Sequence, residues 1–378
     1  MKAVLFYHSL RSDWNHGNAH FLRGIVSELI FRGCRIEVYE PAGGWSARNL
    51  IAQYGPAAVS GYQRVYPALA STLYDPETLD LDRALRGADL VLVHEWNGHT
   101  LVARIGEHRR RNPHYVLLFH DTHHRSVTAP EQMARYDLSH YDGVLAFGAV
   151  VGEIYRRNGW ARRVWTWHEA ADVRVFYPRP RRRGEPSADL VWIGNWGDGE
   201  RAAELEEFLI QPVKSLRLRA RVYGVRYAPE ALAALADAGI EYGGWLPNYE
   251  APEVFARHRL TIHVPRRPYT AALPGIPTIR PFEALACGIP LISAPWNDCE
   301  NLFQPGRDFL VARDGAGMRR QILSLLSNPN RAEELAAHGR RTVLRRHTCG
   351  QRVDELLAVV RELQESPALS SPLKEMRA

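Results

Sequence analysis

Short apolar runs that end in polar loops recur along this chain, with amphipathic stretches between them, and this alternation restricts the fold more than any single motif. "KAVLFY" at the N-terminus is followed by a Gly/Asn loop and by a segment whose Phe21, Leu22, Ile25, Leu29 and Ile30 fall on one side of a helix. Ala19 to Phe31 is thus predicted helical, Gly33 stops it, and "RIEVYE" is a second strand. "ADLVLVHEW", "YVLLFHD" and "DGVLAFG" repeat the strand pattern. Strands that are apolar on both faces need cover on both faces, which is the signature of a parallel sheet between helical layers.

A second series follows the Pro-, Gly- and Arg-rich stretch "YPRPRRRGEPSA", residues 177–188, whose composition suits a linker. "DLVWIGNW", "LRARVYG", "LTIHVP" and "PLISAP" are its strands. The expectation is an α/β protein of two doubly wound parallel-sheet domains: residues 1–172, a linker at 173–188, residues 189–350, and a C-terminal helix with a frayed tail at 351–378. A length of 378 residues accommodates both. Ligands of such sheets lie beyond the carboxyl ends of the strands, which directs attention to His8, His94, His120, Gly194, Gly224 and Pro265.

"MKAVLFYHSL" runs straight into "RSDWNHG", so it reads as a core strand and not as a signal peptide, and no apolar run reaches membrane length. The cysteines at 34, 287, 299 and 349 form no C-x-x-C pair, against a zinc ribbon, a redox motif or a disulfide scaffold. A soluble cytoplasmic protein is expected. The formal net charge is +6, and lysine occurs only at 2, 214 and 374, so the basic charge is nearly all arginine, whose planar fork suits phosphate or carboxylate. Nucleic acid is not the expected partner: Arg181 to Arg183 form one short basic run without interleaved aromatics.

Several stretches carry candidate chemistry. Gly17 and Asn18, just before the first helix, let backbone N–H groups approach an anion at a helix N-terminus, although neither the G-x-G-x-x-G nor the G-K-[ST] fingerprint is present. In "LLFHDTHH" His120 ends a predicted buried strand; it can hold a sugar hydroxyl or donate to a leaving oxygen, with Asp121 fixing its tautomer. The same His-rich loops, with His94, Glu95, His99, His123 and His124, leave open a metal site, although ligand spacings such as H-E-x-x-H are missing. Asp80 and Asp82 in "TLDLDRAL" read as a helix cap with acidic first-turn residues, not as an ion-binding Asp-x-Asp.

In "VWIGNWGDGERAAELEEFL" a strand, a Gly/Asn loop at Gly194 and Asn195, and a helix starting near Glu200 can present N–H groups to a phosphate, with Arg201 supplying charge. In "IRPFEALACGIPLIS" Arg280 and Glu283 stand at a helix start; a guanidinium there can face a diphosphate while the carboxylate accepts from vicinal hydroxyls, and a nucleotide has both.

"RPFEALACGIPLIS", "NLFQPGRDFLVARD" and "NPNRAEELAAHGRRTVLRRHT", with "DLVWIGNWGDGERAAELEEFL", resemble the C-terminal domain of glycosyltransferases related to the spore-maturation protein CgeB, close to the family-4 retaining enzymes. "HGNAHFLRGIVSELIFRGCRIEVYEP" and "LLFHD" are similar, more loosely, to the N-terminal half of a GT-B glycosyltransferase. The resemblance implies a GT-B fold of two Rossmann-like domains facing across a cleft, a nucleoside-diphosphate sugar on the C-terminal domain and an acceptor on the N-terminal one. It places the ribose on Glu283, the diphosphate on Arg201 and Arg280, and the phosphate or sugar under the Gly17–Asn18 loop. His120 would contact the donor sugar, and the base would pack near Tyr223 and Trp245.

Family-4 enzymes carry a second acidic residue eight positions earlier, where this chain has Gly275, and lack of their usual lysine leaves Arg266 or Arg267 to compensate. The implied activity is hexosyl-type transfer, retaining and without metal or other cofactor, to an unidentified saccharide, lipid, protein or small molecule. A metal-dependent hydrolase built on the His-rich loops and a catalytically silent GT-B binding protein are the alternatives. The irregular loops at residues 40–70 would choose the acceptor.

Overall fold

The computed structural model of the chain describes residues 1–180, 188–197 and 199–365. The basic run at 181–183 and the last dozen residues lie outside these.

The first sheet contains β1 (Lys2–Phe6), β2 (Arg35–Pro41), β3 (Thr72–Tyr74), β4 (Leu90–His94), β5 (Val116–Asp121), β6 (Gly143–Ala146) and β7 (Val164–Thr166), ordered β3-β2-β1-β4-β5-β6-β7. The second contains β8 (Ala188–Ile193), β9 (Ala220–Tyr223), β10 (Glu241–Tyr242), β11 (His258–His263), β12 (Leu291–Ser293) and β13 (Leu310–Val311), ordered β10-β9-β8-β11-β12-β13. Every pairing is parallel. Both sheets therefore reverse direction beside their first strand, between β1 and β4 and between β8 and β11, and such a switch point is where doubly wound sheets bind ligands.

Two compact units result: residues 1–12, 22–168 and 350–378, and residues 13–21 and 169–349. The sequence boundaries place a linker at 173–188 and set the C-terminal helix apart from 351, whereas the second unit also takes Asp13–Phe21, the end of the loop after β1 and the start of the first helix, and the first unit takes the C-terminal helix.

The central strands are apolar because no face of them meets water: all residues of β4 and β5 are buried. The second core joins Leu190, Trp192, Val222, Leu260, Ile262 and Ile292 of the strands to Leu209, Val213, Met318 and Ile322 of flanking helices. Burying one such aliphatic side chain contributes about 2 kcal/mol.

The predicted helix Ala19–Phe31 is present with those bounds. The predicted strands are present too, but β3, β7, β10 and β13 have only two or three residues, too short for a periodicity to register. The segment expected as irregular at 40–70 instead contains a helix, Trp45–Tyr54, that buries Ser46 and Leu50, followed by a 3-10 helix at Pro56–Arg64. Its single buried stripe, Leu50 among exposed neighbours, is too weak to be seen as a pattern. The tail is two helices, Pro329–Arg346 and Cys349–Glu365. Arg352 of the latter accepts from Trp167 Nε1 at 2.7 Å through its backbone carbonyl, within the first unit. Among the described residues no helix is long and apolar enough to cross a membrane.

Candidate active site

At the switch point of the second sheet, the loops after β8 and β11 are joined by Arg201. It occupies the residue just before the helix Ala202–Leu205. Its Nε donates to Asn195 O at 3.1 Å, its Nη2 to the same carbonyl, and its Nη1 to Val264 O at 3.0 Å. The guanidinium lies 5.0 Å from the centre of the Trp192 ring. Burial, reinforced by Arg266, pushes Arg201 down to about 9. Its donors thus fix the loop backbone, and the sites left for a phosphate are the second hydrogens of Nη1 and Nη2.

Arg266 pairs with Glu200 at 3.4 Å, and Arg267 donates to Glu204 at 2.8 Å and to Gly199 O at 3.0 Å. Gly194 donates to Tyr223 O at 2.8 Å and accepts from Tyr227 OH at 2.8 Å. A Cβ at Gly224 would stand 2.1 Å from Gly194 O, so the ends of β8 and β9 approach more closely than a side chain permits.

Glu283 is the centre of the site. The helix Ile279–Ala286 turns its apolar residues, Ile279, Phe282 and Leu285 among them, into the protein, and Glu283 is carried in with them to 0% exposure. A buried carboxylate needs partners. Oε2 accepts from Arg280 Nη1, and Oε1 meets His20 Nδ1 at 2.9 Å.

The backbone N–H of Asp172 donates to His20 Nε2 at 2.8 Å. With Nε2 an acceptor, the imidazole is neutral and its proton sits on Nδ1, donated to Glu283. Phe176 stacks on the ring at 3.8 Å and fixes its plane. Each Glu283 oxygen retains a free lone pair, enough for two vicinal hydroxyls. Arg280 gives only Nη1 to Glu283, and its Nε and Nη2 have no other partner among the described residues.

The segment Asp13–Phe21 is tied to this unit by further bonds. Asp13 accepts from Trp245 Nε1 at 2.9 Å and from the Asn248 N–H at 3.1 Å. Asn248 Nδ2 donates to Gly17 O at 2.8 Å, and Asn195 Nδ2 donates to Asn15 Oδ1 at 2.7 Å. The Asp13–Phe21 segment thus bonds to Trp245 and Asn248 through Asp13 and Gly17, to Asn195 through Asn15, and to Glu283 through His20. Tyr223 is not a free wall: its ring fills the space a Cβ on Gly243 would need, at 2.4 Å, and lies under Arg221.

Gly275 has φ +89°, and a Cβ there would lie 2.6 Å from Glu300 Oε1. A side chain at 275 would be strained by the left-handed backbone and would require the Glu300 carboxylate to move. His263, at the end of β11, donates from Nδ1 to Ser293 Oγ at 3.0 Å, since that hydroxyl donates to Ala294 O. Burial, then Arg201 and Arg280, pushes His263 down to about 3, so it is neutral.

At the corresponding edge of the first sheet, His94 and His120 are paired neighbours on β4 and β5, with rings 5.4 Å apart. The His120 ring meets Trp167 at 4.8 Å, and burial pushes it down to about 3. Asp121 does not orient His120. Successive residues of a strand point to opposite faces, and Asp121 accepts instead from the His123 N–H at 3.0 Å and from Tyr155 OH at 2.9 Å.

Glu95 is fully buried, accepts from Arg125 Nη2, and is pushed up to about 8, chiefly by burial against the pull of Arg125. Arg125 covers the Trp96 ring at 4.3 Å. His8 is pushed down to about 4 by burial and by Arg125. Asp80 is a helix cap, accepting from the Arg83 N–H at 3.0 Å, and Asp82 pairs with His108 at 3.2 Å. Among the described residues no group of three or more His, Cys, Asp or Glu side chains is arranged to hold a metal ion.

Sequence reasoning missed Asp13, His20, Glu169 and His263. His20 had a visible signal: a polar residue on the apolar face of a predicted helix, three positions past Gly17. Asp13 and Glu169 became visible only through the loops that bring them in, and His263 through its place at the end of β11.

Residues 201–358 match the family model described as "Glycosyl transferase-like". No curated protein matches the chain's sequence. Among solved structures, the Anabaena protein Alr3699/HepE in complex with UDP and glucose is 14% identical with a TM-score of 0.66, covering 95% of this chain and 100% of that one. Sucrose-phosphate synthase from Thermosynechococcus elongatus is 12% identical at TM-score 0.63, covering 97% and 100%. An alpha-glucosyltransferase in complex with UDP and a 13-mer DNA containing a HMU base is 10% identical at TM-score 0.67, covering 96% and 99%. The chain has the two-domain, parallel-sheet fold of GT-B glycosyltransferases, and a glycosyl transferase-like sequence match covers the second sheet from β9 onward and reaches into the last helix.

Proposed function

We propose that the protein is a glycosyltransferase that takes its sugar from a nucleoside-diphosphate donor held by the second unit. The observation that carries this is the pairing of Glu283, with two lone pairs remaining, and Arg280, with Nε and Nη2 uncommitted, on one turn of a helix at the ligand-binding edge of the sheet. A ribose and a pyrophosphate need those two groups side by side. The glycosyl transferase-like match over 201–358 and solved neighbours bound to UDP or UDP-glucose support the reading.

As the nucleoside diphosphate leaves, the glycosyl carbon becomes oxocarbenium-like and negative charge grows on the β-phosphate; Arg280 and the helix N-terminus behind it stabilise that charge. Arg201 acts mainly by holding the loops after β8 and β11 in position. In the first unit, the neutral His120 is the hydrogen-bonding group for sugar hydroxyls. The resemblance to CgeB-related and family-4 enzymes favours retention of configuration, in which a departing phosphate oxygen deprotonates the acceptor on the same face, without a metal. A hexose is the group transferred, and the cytoplasm is the proposed location.

A panel of UDP, GDP and dTDP tests the reading. One member at 100 times its Kd is expected to raise Tm by roughly 5 °C, and Glu283→Ala abolishes the shift. If none of the three moves Tm, the donor reading fails. The second reading, a silent binding protein of the same fold, draws on Gly275, which contributes no carboxylate. It predicts a nucleotide-induced shift with no release of nucleoside diphosphate from UDP-glucose, GDP-mannose or dTDP-glucose.

A further inference from the structure

Glu169 opens the main segment of the second unit and is only 5% exposed. Among the described residues its carboxyl makes no hydrogen bond and no ion pair. The charged groups acting on it are Glu283 and Arg280. One guanidinium therefore serves two buried carboxyl groups, and that guanidinium is already bonded to Glu283.

Arg179 and Arg340, further cations of the neighbouring elements, act on Cys287 and not on Glu169. From the Asp13–Phe21 segment comes His20, neutral with both ring nitrogens engaged. From Glu169's own segment come Asp172 and Arg174, which pair with each other at 2.9 Å. The helix Ile279–Ala286 brings only Arg280 and Glu283, followed by Cys287, whose thiol burial pushes up. An unpaired buried carboxylate beside another carboxylate takes a proton. Burial first, and then Glu283, push Glu169 up to about 8, with Arg280 opposing. A neutral acid has one O–H to donate, and nothing in the described protein accepts it.

We propose that Glu169 contacts the molecule bound at Glu283 and Arg280, donating a hydrogen bond as a neutral acid to a sugar or phosphate oxygen. This rests on the donor reading above and adds a specificity-determining residue to it. Ionised, Glu169 would set a further negative charge beside the pyrophosphate, so the ligand selects the protonated form. Affinity is then constant while Glu169 is protonated and falls as it ionises, and binding at alkaline pH takes up a proton.

The experiment measures the affinity of whichever of UDP, GDP and dTDP binds, by calorimetry from pH 7.5 to 9.0, for the full-length protein and for Glu169→Gln and Glu169→Leu. The wild type is expected to lose roughly an order of magnitude over that range, and to take up close to one proton at pH 9.0 when Tris and phosphate buffers are compared. Glu169→Gln keeps a donor that does not titrate, so its affinity is flat and no proton is taken up. Glu169→Leu binds at least tenfold more weakly at pH 7.5. A flat wild-type profile, or a Leu variant that binds as tightly as wild type, overturns the assignment while the donor site stands. If no nucleotide binds a folded wild type, the donor reading falls and this inference with it.

Discussion

The two sheets share a topology and present a switch point each, yet their ligand-facing edges carry opposite chemistry. The first ends in His8, His94 and His120, and Arg125, the cation that acts on His8, is engaged by Glu95. The second ends in Arg201, Arg266, Arg267 and Arg280, with Glu200, Glu204 and Glu283 among their partners. A neutral, hydrogen-bonding edge suits hydroxyl groups, and a cationic edge suits a pyrophosphate. On the proposed function, side-chain charge divides the same fold into a surface for sugars and a surface for nucleotides.

The sharpest way to break this division is kinetic. His120→Ala should lower kcat by about 10²- to 10⁴-fold and leave nucleotide affinity unchanged, whereas Glu283→Ala should remove nucleotide binding. Isothermal calorimetry beside a donor-turnover assay separates the two. Equal loss of nucleotide affinity in His120→Ala would mean that the first edge is not specialised for sugar.

A smaller effect compares Arg201 with Arg125. Arg201→Ala leaves the Asn195 and Val264 carbonyls without their donor, which should cost about 3 kcal/mol in stability, and Arg201→Lys should recover little because an ammonium cannot span both. Arg125→Ala leaves Glu95 instead, a carboxyl already poised to hold a proton, and should cost about 1–2 kcal/mol at pH 7. Chemical denaturation checks the order, and a reversed order would show that the first arginine, not the second, organises its loops.

The part of this contrast legible in the sequence was the part built from contiguous residues. The βαβ alternation displayed both sheets, and Glu283 with Arg280 stood out because three residues separate them on one helix turn. The Asp13–Phe21 segment was legible as a loop running into the first helix, but its attachment to the second unit depends on Trp245 and Asn248, more than 230 residues away. Asp121 misled for a local reason: adjacency in sequence places two side chains on opposite faces of a strand, so the carboxylate nearest His120 along the chain is not its partner. Gly275 looked like a missing acid; the structure shows Glu300 occupying the space its side chain would need.

Acid should discriminate the units as well. His8, His120 and His263 all have their folded values pushed below the ordinary 6.5, to about 4, about 3 and about 3. Their unfolded forms bind protons first, so the stability they confer is present above about pH 6.5 and is lost as pH falls toward 3 to 4. By pH 5 each loses about 2 kcal/mol. His120→Gln and His263→Gln should each reduce the loss between pH 7 and 5 by about 2 kcal/mol, whatever the raised carboxyls of the same unit contribute in the opposite sense. Amide exchange on β5 and β11 in the wild type and the two variants measures this, and an unchanged loss would contradict the assignment. On the alkaline side Glu40, Glu95 and Glu169 are raised to about 7, 8 and 8, so their contribution is full below the ordinary carboxyl value and is lost as pH rises through 7 to 8.

The smallest effect tests whether the first unit's chemistry is confined to its strand ends. Asp80 and Asp82 have the spacing of an ion-binding pair, but Asp80 accepts from the N–H of Arg83 and Asp82 faces His108. An N-cap of this kind stabilises by about 1 kcal/mol. Asp80→Ala should therefore lower stability by about that amount and leave donor turnover unchanged, with or without added Mn²⁺, and Asp80→Asn should restore the cap. If Asp80→Ala instead abolishes turnover while Asp80→Asn restores stability but not activity, the acid is working on an ion or a substrate, and the first unit's reactive surface extends beyond its histidine edge.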